Sequence, residues 1–413
     1  MTSREVSLKR VEELNKYSEP FEEAKTKILK GTDYALRARY AVQKEKIMAM
    51  FGGTDDEWDS WTWQIQHRTE DLDLLSEVLH LTPGEREAIK NVGEKYRWAI
   101  TPYYLALIDP EDPKDPVRLM SVPSVDELDE SGVSDPMDEE HTNPAGVITQ
   151  RYPDRLIINV TNACAMFCRH CQRKRKIGGY DTDSSAKAIM ESIQYIRENT
   201  HIRDVLITGG DPLTLRNGFL EDLIAEIRSI PHVEIIRIGT RILVTMPQRI
   251  TNAFVEMLQK YAPVYINTQF NHPQEITRES IAACTRLANA GIPLGNQMVL
   301  LKGVNDDKHV VRLLNHELLK ARVRPYYIFH AKQVIGATHF STSIDDGIEI
   351  MEHLRGYTSG LAIPTYIVNA PGGGGKTPIQ PQYIIDRNDD YVTLRTWEGK
   401  IVKYPNKSKC GGD

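Results

Sequence analysis

The second part of the chain alternates short apolar runs with segments of helical periodicity. The apolar runs predict seven strands, Arg155–Thr161, Asp204–Thr208, Glu234–Ile238, Val264–Gln269, Gln297–Leu301, Pro325–Phe329 and Thr365–Asn369. The helical candidates between them include Ser184–Asn199, Gly218–Ser229, Asn252–Tyr261, Asp307–Leu319 and Ile344–Arg355. This alternation predicts βα units around a parallel sheet, open or closed, with ligands at the carboxyl ends of the strands.

The first 150 residues have a different pattern and predict a helical extension. Residues 1 to about 50 mix charged residues with scattered apolar ones, as in amphipathic helices with a solvated face. Capping boxes at Thr54–Glu57 and Thr82–Glu85 predict two further helix starts, the second helix running to about Tyr96. Asp109–Pro116 contains three prolines and predicts an extended connector.

Three short alternating segments close the chain. They are Gln382–Asp386, Tyr391–Trp397 and Lys400–Tyr404, and turn signals separate them. They predict a small antiparallel sheet. The expected organisation is therefore a helical extension over residues 1–150, an α/β core over 151–376 and a β segment with a tail over 377–413.

Composition and charge narrow the class of protein. The chain has 413 residues and a formal net charge of −6, which argues against a dominant nucleic-acid-binding role. It contains no run of about 18 apolar residues, and its N-terminus is charged from Arg4 onward, unlike a signal peptide. Five cysteines, three of them clustered, do not form a secreted disulfide framework, so a reducing cytoplasm is the expected location.

The clustered cysteines are the main chemical signal of the sequence. Cys164, Cys168 and Cys171 fall within eight residues, directly after the first predicted strand. Zinc normally takes four protein ligands, so a zinc site here needs His170 or a distant residue as the fourth. Iron–sulfur clusters also use thiolates, and three thiolates on a four-iron cluster leave one iron open to an outside ligand.

Two glycine-rich turns offer further candidate chemistry. Gly209 and Gly210 end a predicted strand, where glycine lets the backbone approach a ligand closely. Four glycines, 372–375, precede Lys376 and predict a flexible loop presenting a lysine that can condense with an aldehyde. This run is not a phosphate-binding P-loop, because Pro378 follows where a helix must continue.

Taken together, these motifs resemble a known family. The cysteine spacing CxxxCxxC resembles that of radical S-adenosylmethionine enzymes. The resemblance extends to the lysine 2,3-aminomutase family at Arg151–Arg155, Gly209–Asp211, Asn296-Gln297 and Ala370–Lys376, and it runs from about Trp58 to Tyr404. It implies an α/β fold built as a partial, six-unit (βα) TIM-type barrel.

The resemblance also implies cofactors and the residues that bind them. A 4Fe-4S cluster is expected on the three cysteines, and S-adenosylmethionine near Gly209, Gly210, Asp211 and Gln297. Pyridoxal 5′-phosphate (PLP) is expected on Lys376, with Arg151, Tyr152 and Arg155 near its phosphate, and Arg173 is expected to hold the substrate α-carboxylate. An amino-acid substrate, a homo-oligomer and an external electron donor of the flavodoxin or ferredoxin type are further expectations.

Two departures from the family pattern concern the substrate and the tail. Lysine-specific members have aspartates at the positions of Lys332 and Asn369, and a cation with an amide suits a carboxylate instead. The expected reaction therefore interconverts L-glutamate and β-glutamate; lysine or arginine as substrate, modification of a protein lysine, and a non-catalytic iron–sulfur carrier are the alternatives. Some relatives have a zinc site in the tail; here Cys410 stands alone and Asp307 replaces a further cysteine, so no such site is expected.

Overall fold

A computed structural model describes residues 1–406, and the helices of the N-terminal extension come first. These helices are α1 Ser3–Lys25, α2 Tyr34–Phe51, α3 Asp55–Trp58, α4 Trp61–Gln66, α5 Leu72–Leu79, α6 Pro83–Lys95, α7 Pro102–Leu105 and α8 Pro116–Ser121. Both predicted capping boxes form, since the Thr54 and Thr82 hydroxyls accept the backbone N–H groups of Glu57 and Glu85. Cys410, and with it the expectation about the tail, lies outside the described residues.

Nine strands of the described chain form one sheet in sequence order. They are β1 Ile148–Tyr152, β2 Arg155–Asn159, β3 Asp204–Thr208, β4 Ile235–Gly239, β5 Val264–Thr268, β6 Leu294–Leu300, β7 Arg324–His330, β8 Thr365–Ala370 and β9 Gly375–Pro378. Strands β2 to β8 are parallel, and β1 and β9 pair antiparallel at the two edges.

Helices follow the parallel strands and cover the outside of the sheet. They are α9 Ala186–Glu198, α10 Asn217–Arg228, α11 Ile242–Thr245, α12 Asn252–Gln259, α13 Arg278–Asn289, α14 Lys308–Lys320 and α15 Ile344–Leu354. Along β2, Leu156 and Ile158 are buried under this layer, while the alternate residues face the interior. Six βα units followed by a seventh parallel strand confirm the predicted partial barrel.

The two edge strands of the barrel, β1 and β9, contact each other. The backbone N–H of Lys376 on β9 donates a 2.8 Å hydrogen bond to the hydroxyl of Tyr152, the last residue of β1. This contact brings the two ends of the sheet together, so the barrel is nearly closed around its interior.

The helical extension packs on the barrel through a shared core. Ile47, Trp58 and Tyr103 are buried in the same hydrophobic cluster as Ile207 on β3 and Ile238 on β4. Within the described residues, no helix is both long enough and apolar enough to cross a membrane.

The predicted small sheet is also present, and a few details of the prediction were wrong. Strands β10 Ile384–Arg387, β11 Tyr391–Arg395 and β12 Ile401–Pro405 pair antiparallel. Strand β6 begins at Leu294, three residues before its predicted start, and the short edge strands β1 and β9 were not predicted.

Candidate active site

A cavity of about 660 Å³ opens at the carboxyl ends of the parallel strands. Most of the site residues predicted from the sequence line this cavity: Arg151, Cys164, Cys168, Cys171, Arg173, Gly209, Gly210, Asp211, Gln297, Lys332, Asn369 and Lys376. Tyr152 and Arg155 are not among its lining residues. The Tyr152 ring lies near the Lys376 amine, and the Arg155 guanidinium is 4.0 Å from the centre of that ring. The barrel therefore brings most of the predicted residues together around one cavity.

The helical extension holds the cysteine loop in place. The backbone N–H of Phe167 donates to the Ala99 carbonyl (3.1 Å), and that of Arg169 donates to the Met120 carbonyl (2.9 Å). The Arg97 guanidinium lies 4.7 Å from the centre of the Phe167 ring. The loop thus has a defined conformation, which a site built from its side chains requires.

A buried ion network adds to this anchoring. Glu127, from the extension, accepts hydrogen bonds from Arg169 and Lys174, which flank the last cysteine of the motif. Burial alone raises the pKa of Glu127, but the two cations outweigh it and hold that pKa below its ordinary value. Burial lowers the pKa of Lys174 to about 8 despite this pairing.

The thiols of the motif suit a cluster better than a single zinc ion. Burial raises the pKa of the Cys164 and Cys171 thiols, so a bound metal must displace their protons. Among residues 1–406, no three His, Cys, Asp or Glu side chains form a group suited to one metal ion. The thiolates of a cluster bind different irons and need not converge on one point.

His170, the alternative zinc ligand, uses one of its two ring nitrogens within the protein. Its Nε2 atom lies 3.1 Å from the amide nitrogen of Gln269 and 3.4 Å from that of Asn271. Burial holds the pKa of His170 well below its ordinary value, so the ring is neutral and accepts from these amides. Nε2 is therefore taken by the two amides, while Nδ1 is buried and has no hydrogen-bond partner among residues 1–406.

The Gly209-Gly210 turn contacts the cysteine loop directly. The N–H groups of Gly210 and Asp211 donate to the carbonyls of Thr161 (2.5 Å) and Ala163 (2.7 Å). Gly209 has a φ of +138°, and a Cβ atom on it would lie 2.4 Å from the Thr161 oxygen. The glycines therefore allow the turn to approach the backbone that precedes Cys164.

The buried carboxylate of Asp211 has its hydrogen-bond partners within the protein. Its oxygens accept the Thr240 hydroxyl (2.7 and 2.9 Å), the Arg241 N–H (2.7 Å) and the Leu213 N–H (3.1 Å). The Gly-Gly-Asp turn thus ties the cysteine loop to the segment after β4. Gln297, on β6, lies in the cavity wall.

Lys376 lies on a strand rather than in a flexible loop, which corrects the sequence interpretation. Residues 371–374 form the tight connection between β8 and β9, and Gly372 and Gly373 have φ values of +63° and +74°. Lys376 pairs directly with Asn369 across this hairpin. Directly paired residues of an antiparallel ladder share one face of the sheet, so both side chains point to the same side.

The Lys376 amine occupies a buried, aromatic and cationic setting. Its Nζ atom lies 5.6, 5.4 and 5.8 Å from the ring centres of Tyr152, Tyr327 and Phe329. Burial, reinforced by nearby arginines of which Arg237 acts most strongly, lowers the pKa of Lys376 to about 8. The neutral, nucleophilic form of this amine is therefore more populated near neutral pH than that of an ordinary lysine.

Lys332 and Asn369 place two hydrogen-bond donors at the same cavity. Desolvation, together with the charges of Arg151, Arg173 and Lys376, lowers the pKa of Lys332 to about 7. The amide nitrogen of Asn369 is buried and has no hydrogen-bond partner within the described chain. Buried donors normally have partners, so this part of the cavity suits a ligand that brings acceptor oxygens and negative charge.

Arg173 is held by a carboxylate that the sequence did not reveal. Its Nε and Nη2 atoms both lie 2.9 Å from Oε1 of Glu139, which also pairs with Lys176 at 2.8 Å. Burial opposes ionisation, but Arg173 and Lys176 lower the pKa of Glu139 to about 2. Glu139 is one of many acids in its loop, so no local pattern distinguishes it.

Comparison with known proteins agrees with this geometry. The radical SAM superfamily profile matches residues 158–314, and the lysine-2,3-aminomutase profile matches residues 351–411. The chain is 59% identical to the glutamate 2,3-aminomutase of Clostridioides difficile over 96% of this chain and 94% of that protein. It is 49% and 50% identical to the L-lysine 2,3-aminomutases of Clostridium subterminale and Acetoanaerobium sticklandii, over 85% of each chain.

The barrel and its cysteine loop thus define a radical S-adenosylmethionine enzyme. Within that class, the chain belongs to the lysine 2,3-aminomutase family. It is an isomerase of the aminomutase type that uses a 4Fe-4S cluster and S-adenosylmethionine.

Proposed function

We propose that this enzyme interconverts L-glutamate and β-glutamate, with PLP bound through Lys376. The relative from Clostridioides difficile, named glutamate 2,3-aminomutase, supports the substrate. The observation that carries the proposal is the pair Lys332 and Asn369 in the cavity that also contains Lys376. They offer an ammonium and a buried amide that has no hydrogen-bond partner among residues 1–406. Glutamate brings to these groups a side-chain carboxylate, which accepts from both.

The charge of the cavity favours this substrate over lysine or arginine. Arg151, Arg173 and Lys376 all act on Lys332 as like charges. A substrate ammonium or guanidinium at this place adds a further positive charge, and like charges at a buried contact cost several kcal/mol. A dicarboxylic amino acid instead brings negative charge that offsets the excess positive charge of the cavity.

In the proposed assignment, each cofactor has residues suited to it. Cys164, Cys168 and Cys171 hold the cluster, while Gly209, Gly210, Asp211 and Gln297 form the S-adenosylmethionine side of the cavity. When bound, the cluster and S-adenosylmethionine supply a radical that takes a hydrogen atom from the substrate, and PLP carries the migrating amino group. An external one-electron donor of the flavodoxin or ferredoxin type completes the system.

The remaining residues orient the PLP and the substrate. Lys376 presents an amine of lowered pKa for covalent attachment, and we assign the PLP phosphate to Arg151, Tyr152 and Arg155. Arg173 is fixed by Glu139 through Nε and Nη2, and no hydrogen bond within residues 1–406 uses its Nη1 atom, which is available to the α-carboxylate. Holding both carboxylates places the reacting carbons in a defined position.

A product assay tests the proposal. The anaerobically reconstituted enzyme is given L-glutamate and L-lysine in parallel, with S-adenosylmethionine, PLP and dithionite, and the amino acids are identified by mass spectrometry. We expect β-glutamate from glutamate and little or no β-lysine from lysine. Faster turnover of lysine than of glutamate would contradict the substrate assignment and leave the family membership unaffected.

A further inference from the structure

Arg241 is a buried residue that touches the cysteine motif. It directly follows the turn after β4, and its Nη1 atom donates to the Sγ atom of Cys168 at 2.8 Å. Only 8% of Arg241 is exposed. The contact places a permanent positive charge on one thiolate of the expected cluster, because a guanidinium is not deprotonated in proteins.

A second set of contacts fixes the guanidinium in this orientation. Its Nη2 atom donates to Oε1 of Glu275 at 2.6 Å, and its Nε atom donates to the Gln269 carbonyl at 3.2 Å. Glu275 is fully buried, and it also accepts the Tyr104 hydroxyl (2.7 Å) and the Asn271 N–H (2.6 Å). The pair is thus prearranged, with the cation next to the sulfur and the carboxylate behind it.

The backbone of Arg241 is fixed as well. Asp211 accepts its N–H and the hydroxyl of Thr240, and Asp211 itself belongs to the turn that contacts the backbone before Cys164. The two elements that carry Arg241 and Cys168 are therefore tied together independently of the sulfur contact. These hydrogen bonds hold the Arg241 guanidinium at a fixed distance from the Cys168 sulfur.

We propose that Arg241 raises the reduction potential of the cluster through its hydrogen bond to Cys168, with Glu275 and Asp211 as its positioning residues. Reduction adds one electron from the external donor to the cluster and neither makes nor breaks a bond. The added negative charge is stabilised by a nearby positive charge and by hydrogen bonds to the ligating sulfurs. Glu275 offsets only part of this effect, because the guanidinium contacts the sulfur directly, whereas Glu275 contacts the guanidinium.

This inference rests on the proposed binding of the cluster by Cys164, Cys168 and Cys171. Its test is a redox titration of the full-length, anaerobically reconstituted enzyme with dithionite, followed by EPR, together with iron and sulfide analysis. In Arg241→Gln, the ratio of reduced to oxidised cluster at a fixed potential should fall about tenfold, which is about 59 mV for a one-electron couple. Glu275→Gln keeps an oxygen that accepts from Arg241 but removes the nearby negative charge, so it should shift the ratio in the opposite direction.

Arg249→Gln is the matched control. Arg249 is also fully buried, but its hydrogen bonds go to the carbonyls of Leu213 and Leu215 and not to a cysteine. Its replacement is expected to leave the potential unchanged even if it lowers stability. Arg241→Lys keeps the charge and should give a smaller shift than Arg241→Gln.

The possible results distinguish failure of the role proposed for Arg241 from failure of the proposed cluster binding. If Arg241→Gln does not take up iron, the shifts in Glu275→Gln and Arg241→Lys decide the question. Fully loaded variants with the wild-type potential would overturn the role of Arg241 and leave the cluster assignment intact. A wild-type enzyme without iron would instead overturn the cluster assignment itself.

Discussion

At the scale of single residues, the lowered pKa of the Lys376 amine has a measurable consequence. Burial and the neighbouring arginines destabilise its charged form, and only the neutral amine attacks an aldehyde. In PLP-free enzyme, the rate of covalent PLP attachment should therefore increase as the pH rises through about 8. An ordinary lysine would show this increase near its usual pKa of 10.5.

Arg155→Gln extends this prediction. Arg155 is one of the cations that lower the pKa of Lys376, so its removal should move the midpoint of the pH profile upward. The rate is followed by the absorbance of bound PLP, and peptide mapping after borohydride reduction identifies the lysine. A profile centred above pH 10, or PLP attached to another lysine, would refute the assignment.

Some functional residues could be predicted from the sequence, and others are recognised only in the folded structure. The three cysteines, Lys376 and Lys332 stand out because their neighbours or their departures from a family pattern mark them. Glu139 and Arg241 do not stand out, since their importance comes from contacts between segments about 34 and 73 residues apart. Such partners depend on the tertiary fold, and no local spacing encodes them.

At the scale of elements, the Gly209-Gly210 turn determines how the cysteine loop sits on β3. Gly209→Ala places a methyl group 2.4 Å from the Thr161 carbonyl in a backbone region that disfavours side chains. Strain of this kind costs about 1–3 kcal/mol unless the loop moves. We expect lower stability and reduced iron uptake, measured by thermal denaturation and by iron and sulfide analysis.

Gly218→Ala is the control for this substitution. Gly218 lies on α10, and a Cβ atom there would meet no neighbouring heavy atom within 4 Å. Stability should be unchanged or slightly higher, because alanine favours helix more than glycine does. Equal iron uptake by the Gly209 and Gly218 variants would contradict the role given to the turn.

The pattern of apolar residues predicts most of the helices and strands, and the strands that it misses have a physical explanation. The parallel strands are buried under the helices and half-buried on the face toward the interior, and short apolar runs mark them, as in β2 and β3. The edge strand β9 contains glycine, lysine and proline, which individually predict a loop. It becomes a strand because β8 offers a partner edge and the glycines allow the tight reversal.

At the scale of the whole molecule, the helical extension and the barrel act as one unit around the cysteine loop. Glu127 is the buried link, paired with Arg169 and Lys174. Glu127→Gln leaves two buried cations without their counter-charge, which should lower the free energy of unfolding by about 3–5 kcal/mol. Anaerobic denaturation with urea measures this loss.

Glu130→Gln is the control for this link. Glu130 pairs with Lys95 at the surface, where solvent screens the interaction. Its replacement should not change the denaturation midpoint measurably. Equal midpoints for the Glu127 and Glu130 variants would show that the extension does not stabilise the loop through this network.

The central claim is that Lys332 and Asn369 select glutamate by binding its side-chain carboxylate. The most direct measurement is kcat/KM for glutamate in the double variant Lys332→Asp, Asn369→Asp, with cluster and PLP content determined on the same sample. We predict a loss of roughly a hundredfold or more at wild-type cofactor content, because two carboxylates replace the groups that bind one, and losing a buried charged contact costs about 2–5 kcal/mol. An unchanged kcat/KM for glutamate would contradict the account.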